Sequence, residues 1–541
     1  MKQTKNTMTC PICHHDYKKL LHEFGSAFDA PILEALQEEA PGWTPQQGAC
    51  ARCVDQAQLD AWAALKGNGM GTEINGYKIL PIPTRLMAHP HYTGKGVTIC
   101  FIDSGFYLHP DLEGRILKII DITNSNLPTS DFQPPISSWH GTMTSVVCAG
   151  DGKLSGGMYK GLASEAKLVL LKVTDIKGAI TGENIAKAIR WAIENKEKYN
   201  INILNLSVTD DWATSYKENE VDQAIEAAVG AGIVVIVAAG NDDNAALKAP
   251  ANSPHTITVG GLDDQNTLHP LTYSLYHSTF GETIDGTHKP ELIAPAIWIP
   301  APILPETKEQ QVASALFELA NTKDDGLFKT KFANLAAEIG FDQKLVNQGI
   351  TTIRQKVWQA IENRKLISAH YQHADGTSFA APIVSSLVAQ MLEANPSLTP
   401  AAVREILLRT ARKLENAPTE RQGYGVVHPL SAVYAAEVEH HELPAFFTPV
   451  INYKKKVIEF HLHQHEAAQA VATGDFTNWS AHEISLQQTE NGKWRIQYPM
   501  LPKGIYRYKF LINQEQWSPD PTNLFRELDG FGGFNSKFII E

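Results

Sequence analysis

Gly96-Val-Thr-Ile-Cys-Phe-Ile-Asp-Ser-Gly105 decides the fold. Its first seven residues are small, β-branched or aromatic and carry no charge, which suits a strand buried on both faces. Asp103 ends the run and Ser104-Gly105 turns the chain. Outward from it the same signal recurs in Leu168-Val-Leu-Leu-Lys-Val173, Ile203-Leu-Asn-Leu206 and Ile233-Val-Val-Ile-Val237. Helical patterns separate these runs. The alternation predicts an α/β fold from about 76 to 436, with a parallel sheet and helices on both of its faces.

The flanks read differently. Residues 1–60 hold paired cysteines and few strand signals, and a linker over 61–75 contains Gly67-Asn-Gly-Met-Gly71. A charged stretch over 304–366 interrupts the α/β region. In it Val312, Leu316 and Leu319, then Ile350, Ile353, Val357 and Ile361, recur at helix spacing, so it is an inserted helical element. From 446 to 541 short alternating strands broken by Gly, Pro, Asn and Asp turns predict an immunoglobulin-like β-sandwich. With 541 residues the chain exceeds what one core fills, and two to four domains are expected.

Composition excludes several classes. Hydrophobic residues make up 43% and charged residues 20%, a globular balance with no signature of disorder. The net charge is −12 and no Lys/Arg cluster stands out, which argues against nucleic acid and against a membrane surface as partners. The first ten residues lack the apolar stretch of a secretory signal, and no run approaches the roughly 18 apolar residues of a membrane span. Six cysteines do not make a disulfide framework in so long a chain. Together these features predict a cytoplasmic protein.

Three polar residues stand where a parallel sheet would present them. Asp103 ends its strand, His140 opens the stretch Gly141-Thr-Met-Thr-Ser145, and Ser378 lies in Asp375-Gly-Thr-Ser-Phe-Ala-Ala-Pro382 before another helical run. Acyl transfer at neutral pH needs a nucleophile, a base to take its proton and a group to orient the base. A serine at a helix N-terminus also has backbone N–H groups beside a developing oxyanion, and Asn241, after the strand 233–239, offers a side-chain amide as second donor. Asp-Ser-Gly alone is a turn and Gly-Thr-Ser alone a loop; their order Asp, His, Ser is that of subtilisin.

On these motifs the chain resembles the subtilases over about 76–436. Gly94 to Gly105 looks like the family's aspartate motif and His140-Gly-Thr-Met-Thr-Ser145 its histidine motif. Val237-Ala-Ala-Gly-Asn241 looks like the oxyanion motif, Gly376 to Pro382 the serine motif, and Lys289-Pro-Glu-Leu-Ile-Ala-Pro295 a further family segment. The resemblance implies a serine endopeptidase acting on protein or peptide substrates. It also implies that Ser207, Val208 and Thr209 form an edge strand against substrate, and that Ala238, Ala239 and Gly240 line the pocket for the residue before the scissile bond. Thr209 replaces the usual glycine and Asp210-Asp211 follow, a change expected to narrow the pocket and favour basic substrates. Ala296 likewise stands where the family has glycine. Subtilases often bind calcium, but no loop places a site. The insertion re-enters just before Ser378 and is expected to cap or gate the cleft, against the alternative of a peripheral decoration. A catalytically silent scaffold that binds peptide and glucan is the alternative to an enzyme.

Cys10-Pro-Ile-Cys13 and Cys50-Ala-Arg-Cys53 are two Cys-x-x-Cys knuckles, the spacing of a closed structural zinc site in a zinc-ribbon-like module. Disulfides or a redox role are the alternatives, and His14 or His15 could replace a ligand. Cys100 and Cys148 read as buried, inert thiols. His461, His463 and His465 alternate on one strand face, better read as solvated than as metal-binding.

In the last segment the informative residues are aromatic: Gly474-Asp-Phe-Thr-Asn-Trp-Ser480, Gly492-Lys-Trp494, Pro502 to Phe510, Trp517-Ser-Pro-Asp-Pro521 and Gly533-Phe-Asn535. Their order and spacing resemble glycogen- and starch-binding modules. The resemblance implies glycogen or a related α-glucan as partner, with Trp479, Lys509, Trp517 and Asn535 as sugar contacts. The plainer reading makes these aromatics a sandwich core that props up the rest.

Overall fold

The computed structural model describes residues 30–50, 79–89, 91–123, 138–210, 212–268, 272–414, 417–438, 449–452, 456–464, 467–480, 484–490, 492–520, 526–529 and 534–540, with shorter pieces within 8–21 and 53–57 and at 482 and 523. The linker 61–75, His15, Asp211 and His465 lie outside the described residues.

Strand β1 (Thr98–Asp103) lies inside a parallel sheet with β2 (Ile116–Asp121), β3 (Lys167–Lys172), β4 (Ile201–Leu206), β5 (Val234–Ala238), β6 (Ile257–Asp263) and β7 (Leu292–Pro295). The order across the sheet is β7-β6-β5-β4-β1-β3-β2, and Ser274–Leu275 adds antiparallel to β6. After β1 the chain builds one half of the sheet through β2 and β3, then returns to β1's other side with β4. That reversal between β1 and β4 is where an open α/β sheet presents a crevice beyond its carboxyl ends. Asp103 and Ser207 both sit at it.

All six residues of β1 are buried, which is why its sequence carries no alternation. Its side chains still divide by face. Ile99 and Phe101 enter one core with helices α1 (Ser138–Ala149) and α7 (Thr377–Ala394); Cys100 and Ile102 enter the other with α2 (Gly182–Glu194) and α3 (Glu220–Gly230). Helix α7 is buried from Phe379 to Leu392, so its start is fixed by the core rather than by surface contacts. Asn219 caps α3 with bonds of 2.8 and 3.3 Å to the N–H groups of Val221 and Asp222.

The insertion is helical, as its periodicity predicts. Helices α4 (Lys308–Asn321), α5 (Asp325–Leu335) and α6 (Ile350–Asn363) enclose a core of their own around Val312, Leu316, Phe328, Phe332, Ile353 and Val357. Each fully buried side chain of this kind stabilises by about 1.5–3 kcal/mol. The stretch is flanked by a ribbon that the sequence does not announce, β8 (Ile299–Pro302) against β9 (Tyr371–Ala374), antiparallel, with Ile299 opposite Ala374. The chain reaches Ser378 from this ribbon.

The last segment forms two antiparallel sheets. One has the order Val450–Asn452, Val457–His463, Lys493–Pro499, Gln487–Glu490; the other runs Ala470–Gly474, Gly504–Ile512, Phe534–Ile540, Arg526–Leu528, with Gln516–Ser518 beside Gly504–Ile512. Phe460, Tyr508, Phe510 and Phe538 fill the space between them, as a sandwich requires. At the other end of the chain Leu21, Leu36, Trp43, Cys10 and Cys50 pack against Leu430 and Tyr434 of helix Pro429–Val438. Among the described residues no helix is long and apolar enough to cross a membrane.

Candidate active site

The Asp103 carboxylate is fully buried at the carboxyl end of β1 and has three donors. Oδ1 accepts from Ser104 N–H at 2.6 Å and lies 2.7 Å from His140 Nδ1, while Oδ2 accepts from Thr144 Oγ1 at 3.1 Å. Thr144 stands one helical turn from His140 on α1, so one helix presents both the imidazole and a group that fixes its partner. A Cβ at Gly141 would come within 2.3 Å of the Gly105 carbonyl oxygen, so only glycine lets α1 close on the loop after Asp103. Burial of the His140 ring works against protonation, but the charge and hydrogen bond of Asp103 outweigh it and raise the imidazole above its ordinary value.

Ser378 is the second residue of α7. The residue before it reaches across to Asn241: Thr377 N–H and Thr377 Oγ1 donate to Asn241 Oδ1 at 2.8 and 3.0 Å. Those bonds assign the orientation of the amide and leave Nδ2 facing away from Thr377. Thr377 Oγ1 also accepts from Gly240 N–H at 3.2 Å, which ties the strand end after β5 to the start of α7. Pro382 lies one turn inside α7 and has no N–H to give the Ser378 carbonyl. That carbonyl takes the Ser207 hydroxyl instead, at 3.1 Å, and the motif's proline thereby joins α7 to the end of β4. The Phe379 ring lies 6.2 Å from the His140 ring, centroid to centroid, so the serine and the imidazole stand at one end of the sheet. Among the described residues Ser378 Oγ has no hydrogen bond to His140; such bonds are often long before substrate arrives.

Ser207 and Val208 are buried and Thr209 is exposed beyond them; Ala238 and Ala239 are buried beneath Gly240. Thr279, which no sequence motif marks, stands behind Gly240, with its N–H bonded to the Gly240 carbonyl at 3.1 Å. Asp210, beyond Thr209, is tied to a neighbouring helix. Its Oδ2 accepts from Asn219 Nδ2 at 3.0 Å and its carboxylate abuts Gly182, so it serves the start of α3.

The four cysteines converge. Their sulfur atoms all lie within 4.8 Å of one another, and Cys13 Sγ is 3.8 Å from Cys50 Sγ. A tetrahedral site with metal–sulfur distances of about 2.3 Å has edges of about 3.8 Å, so the donor set fits a thiophilic cation. None of the six cysteines is in a disulfide. The hydrogen bond with Cys50, then burial and the neighbouring thiols, push the Cys53 thiol well above its ordinary value. Four thiolates in so small a space require a counter-charge. Cys100 and Cys148 are fully buried and burial pushes both thiols up, which suits inert core residues. Among the described residues no other group of three or more metal-ligating side chains comes together, and no calcium site is assigned.

On the sandwich the four aromatic and polar candidates share a face. Trp517 pairs with Leu511, two residues from Lys509 on the same strand, and Asn535 lies two residues from Lys537, which pairs with Arg507. Positions 507, 509 and 511 point away from the core that Tyr508, Phe510 and Ile512 fill. The Trp479 and Trp517 rings are 6.3 Å apart and Trp517 is 47% exposed, so this tryptophan is not part of the core. Lys509 is held by an ion pair with Asp529.

A parallel sheet of this topology, with a buried carboxylate–imidazole pair and a helix-start serine at its carboxyl end, defines a subtilisin-like serine endopeptidase. The chain belongs to the subtilase family, which it matches over residues 94–425. Residues 449–525 match carbohydrate-binding module 48, the isoamylase N-terminal domain. The serine protease AprX of Bacillus subtilis (strain 168) is 31% identical over 350 residues, 63% of this chain and 67% of that protein. A thermophilic serine proteinase of Bacillus sp. (strain AK1) is 30% identical over 174 residues, 32% of this chain and 40% of that one. Among solved structures, fervidolysin from Fervidobacterium pennivorans overlaps 85% of this chain and 60% of its own, with a TM-score of 0.47 and 20% identity.

Proposed function

We propose that the chain hydrolyses peptide bonds of proteins with Ser378 as nucleophile, His140 as general base and Asp103 as the group that orients the imidazole. His140 Nε2 takes the Ser378 hydroxyl proton as Oγ attacks the scissile carbonyl. The imidazolium that forms is stabilised by Asp103, and its proton then goes to the leaving amine. Asn241 Nδ2 and the Ser378 backbone N–H hold the oxyanion, and water releases the acyl-enzyme. Substrate backbone lies along Ser207 to Thr209, with the side chain before the scissile bond over Ala238, Ala239 and Gly240. The observation that carries this reading is the 2.7 Å contact of His140 Nδ1 with a carboxylate that Ser104 and Thr144 also hold. It is tested by hydrolysis of a peptide library and by sequencing of new protein termini, wild type against Ser378→Ala. Cleavage by neither protein would favour a scaffold that only binds peptide.

The chain is read as a module over 1–60 with a structural zinc held by Cys10, Cys13, Cys50 and Cys53, a linker over 61–75, a protease over 76–436 and a sandwich over 446–541. Zinc would supply the charge that four thiolates need and leave no open position for chemistry. Trp479 and Trp517 support α-glucan as the ligand of the sandwich, since the exposed Trp517 indole beside the half-buried Trp479 offers a face on which a sugar ring can stack. Affinity gels containing glycogen test it, with Trp517→Ala as the control. The reduced cysteines support a cytoplasmic location.

A further inference from the structure

We infer that Lys365 and Asp375 are positioning residues through which the helical insertion sets the geometry at Ser378; the inference rests on Ser378 being the nucleophile. The insertion leaves the protease along β8 and returns along β9, and Asp375 is the first residue after β9. The two oxygens of Asp375 have different partners. Oδ1 accepts from the Trp298 N–H at 3.1 Å, just before β8, and Oδ2 pairs with Lys365 Nζ at the end of the insertion.

Both partners are themselves held. Lys365 follows α6 with φ +57°, and its carbonyl accepts from His373 N–H at 2.8 Å. Trp298 has φ +59°, its ring lies 4.9 Å from that of His373, and its carbonyl accepts from Arg85 at 2.7 Å. Arg85 in turn is buried and paired with Asp264 at 2.6 Å. Both partners of Asp375 are non-glycine residues in the left-handed region, which shows that the surroundings determine this turn closely.

On the other side of Asp375 the chain runs directly into the site. Gly376 has φ +138°, a value that favours glycine, and its N–H bonds the Ala296 carbonyl at 2.7 Å. Thr377 follows and grips Asn241 Oδ1. The turn 375–377 is thus held by the insertion at one end and by the oxyanion asparagine at the other. Lys365 is half exposed, and exposed ion pairs contribute little to stability. Placement is different, because small displacements at a reacting centre change rate steeply.

The test compares wild type, Lys365→Met, Lys365→Arg, Asp375→Asn and the double variant K365M/D375N. It reads kcat and KM on a peptide substrate, the rate of labelling by a fluorophosphonate, and Tm. Lys365→Met is expected to lower kcat and the labelling rate by roughly fivefold to tenfold, with KM and Tm close to wild type. Lys365→Arg should restore the rate, and the double variant should be no slower than Asp375→Asn, since the two residues act as a unit. A Lys365→Met enzyme with wild-type kcat, or losses that multiply in the double variant, would overturn the inference. Wild-type enzyme that hydrolyses peptide but takes no label would overturn the nucleophile assignment instead, and the inference with it.

Discussion

The carboxyl end of the sheet and the cysteine cluster each gather four side chains from distant parts of the chain, and they face opposite electrostatic problems. At the sheet the groups complement one another. A buried carboxylate has three donors, and the asparagine that completes the site has its oxygen occupied by Thr377. At the cluster the groups are alike, and the neighbouring thiols raise that of Cys53. At the first site β1, α1 and α7 are fixed by the cores on the faces of the sheet. The second brings together four sulfur donors that could hold a cation, and its surrounding core is small. A fold can position a catalytic site, whereas a metal site of this kind has to help make its own fold.

The largest effect is expected from depriving the cysteine cluster of the zinc proposed for it. Structural zinc contributes an apparent 10–16 kcal/mol, to order of magnitude, in small zinc modules. Chelation, or Cys50→Ser, should therefore unfold the region around the cluster, seen as lost hydrogen-exchange protection at Leu21, Leu36 and Ala49. Peptide hydrolysis by the α/β domain should persist. Loss of both together would show that the two sites are not independent.

The remaining tests sharpen the catalytic half. Asp103→Asn should lower kcat by about 10⁴-fold with the fold intact, because the imidazole is left in the wrong tautomer. Asn241→Ala should lower kcat by about 10²–10³-fold with little change in KM. Thr144→Val removes one of the three donors to Asp103 and should lower kcat/KM by roughly fivefold, the equivalent of about 1 kcal/mol.

The pH dependence has two opposite signs. The imidazole must be neutral to accept a proton, so kcat/KM should fall as pH drops through a His140 value above the ordinary ~6.5. The stability that comes from raising His140 is fully present below its unfolded-state value and is lost as pH rises through the folded one. A rate profile with its acidic limb below 6.5 would contradict the role of Asp103.

Much of this was legible because buried strands and catalytic turns leave local signatures. The charge-free run ending at Asp103 marked the centre of the sheet, and the Asp-Ser-Gly, His-Gly-Thr and Gly-Thr-Ser motifs marked the residues at its carboxyl end. The spacing of Val312, Leu316 and Leu319 marked a helix whose buried face is formed by those residues. What escaped depends on contacts between segments far apart. Thr144 and Thr377 read as ordinary motif residues until the fold sets them beside Asp103 and Asn241. The β8–β9 ribbon was hidden because Ile299-Pro-Ala-Pro302 contains two prolines, which argue against a strand. The bond from Asn219 to Asp210 likewise depends on where α3 lies.

The most direct measurement is the site of covalent modification by a fluorophosphonate, mapped by mass spectrometry of proteolytic peptides. A single adduct on Ser378, absent from His140→Ala, is the expected result. An adduct on another serine, or equal modification of Ser378 when His140 is replaced, would contradict the account.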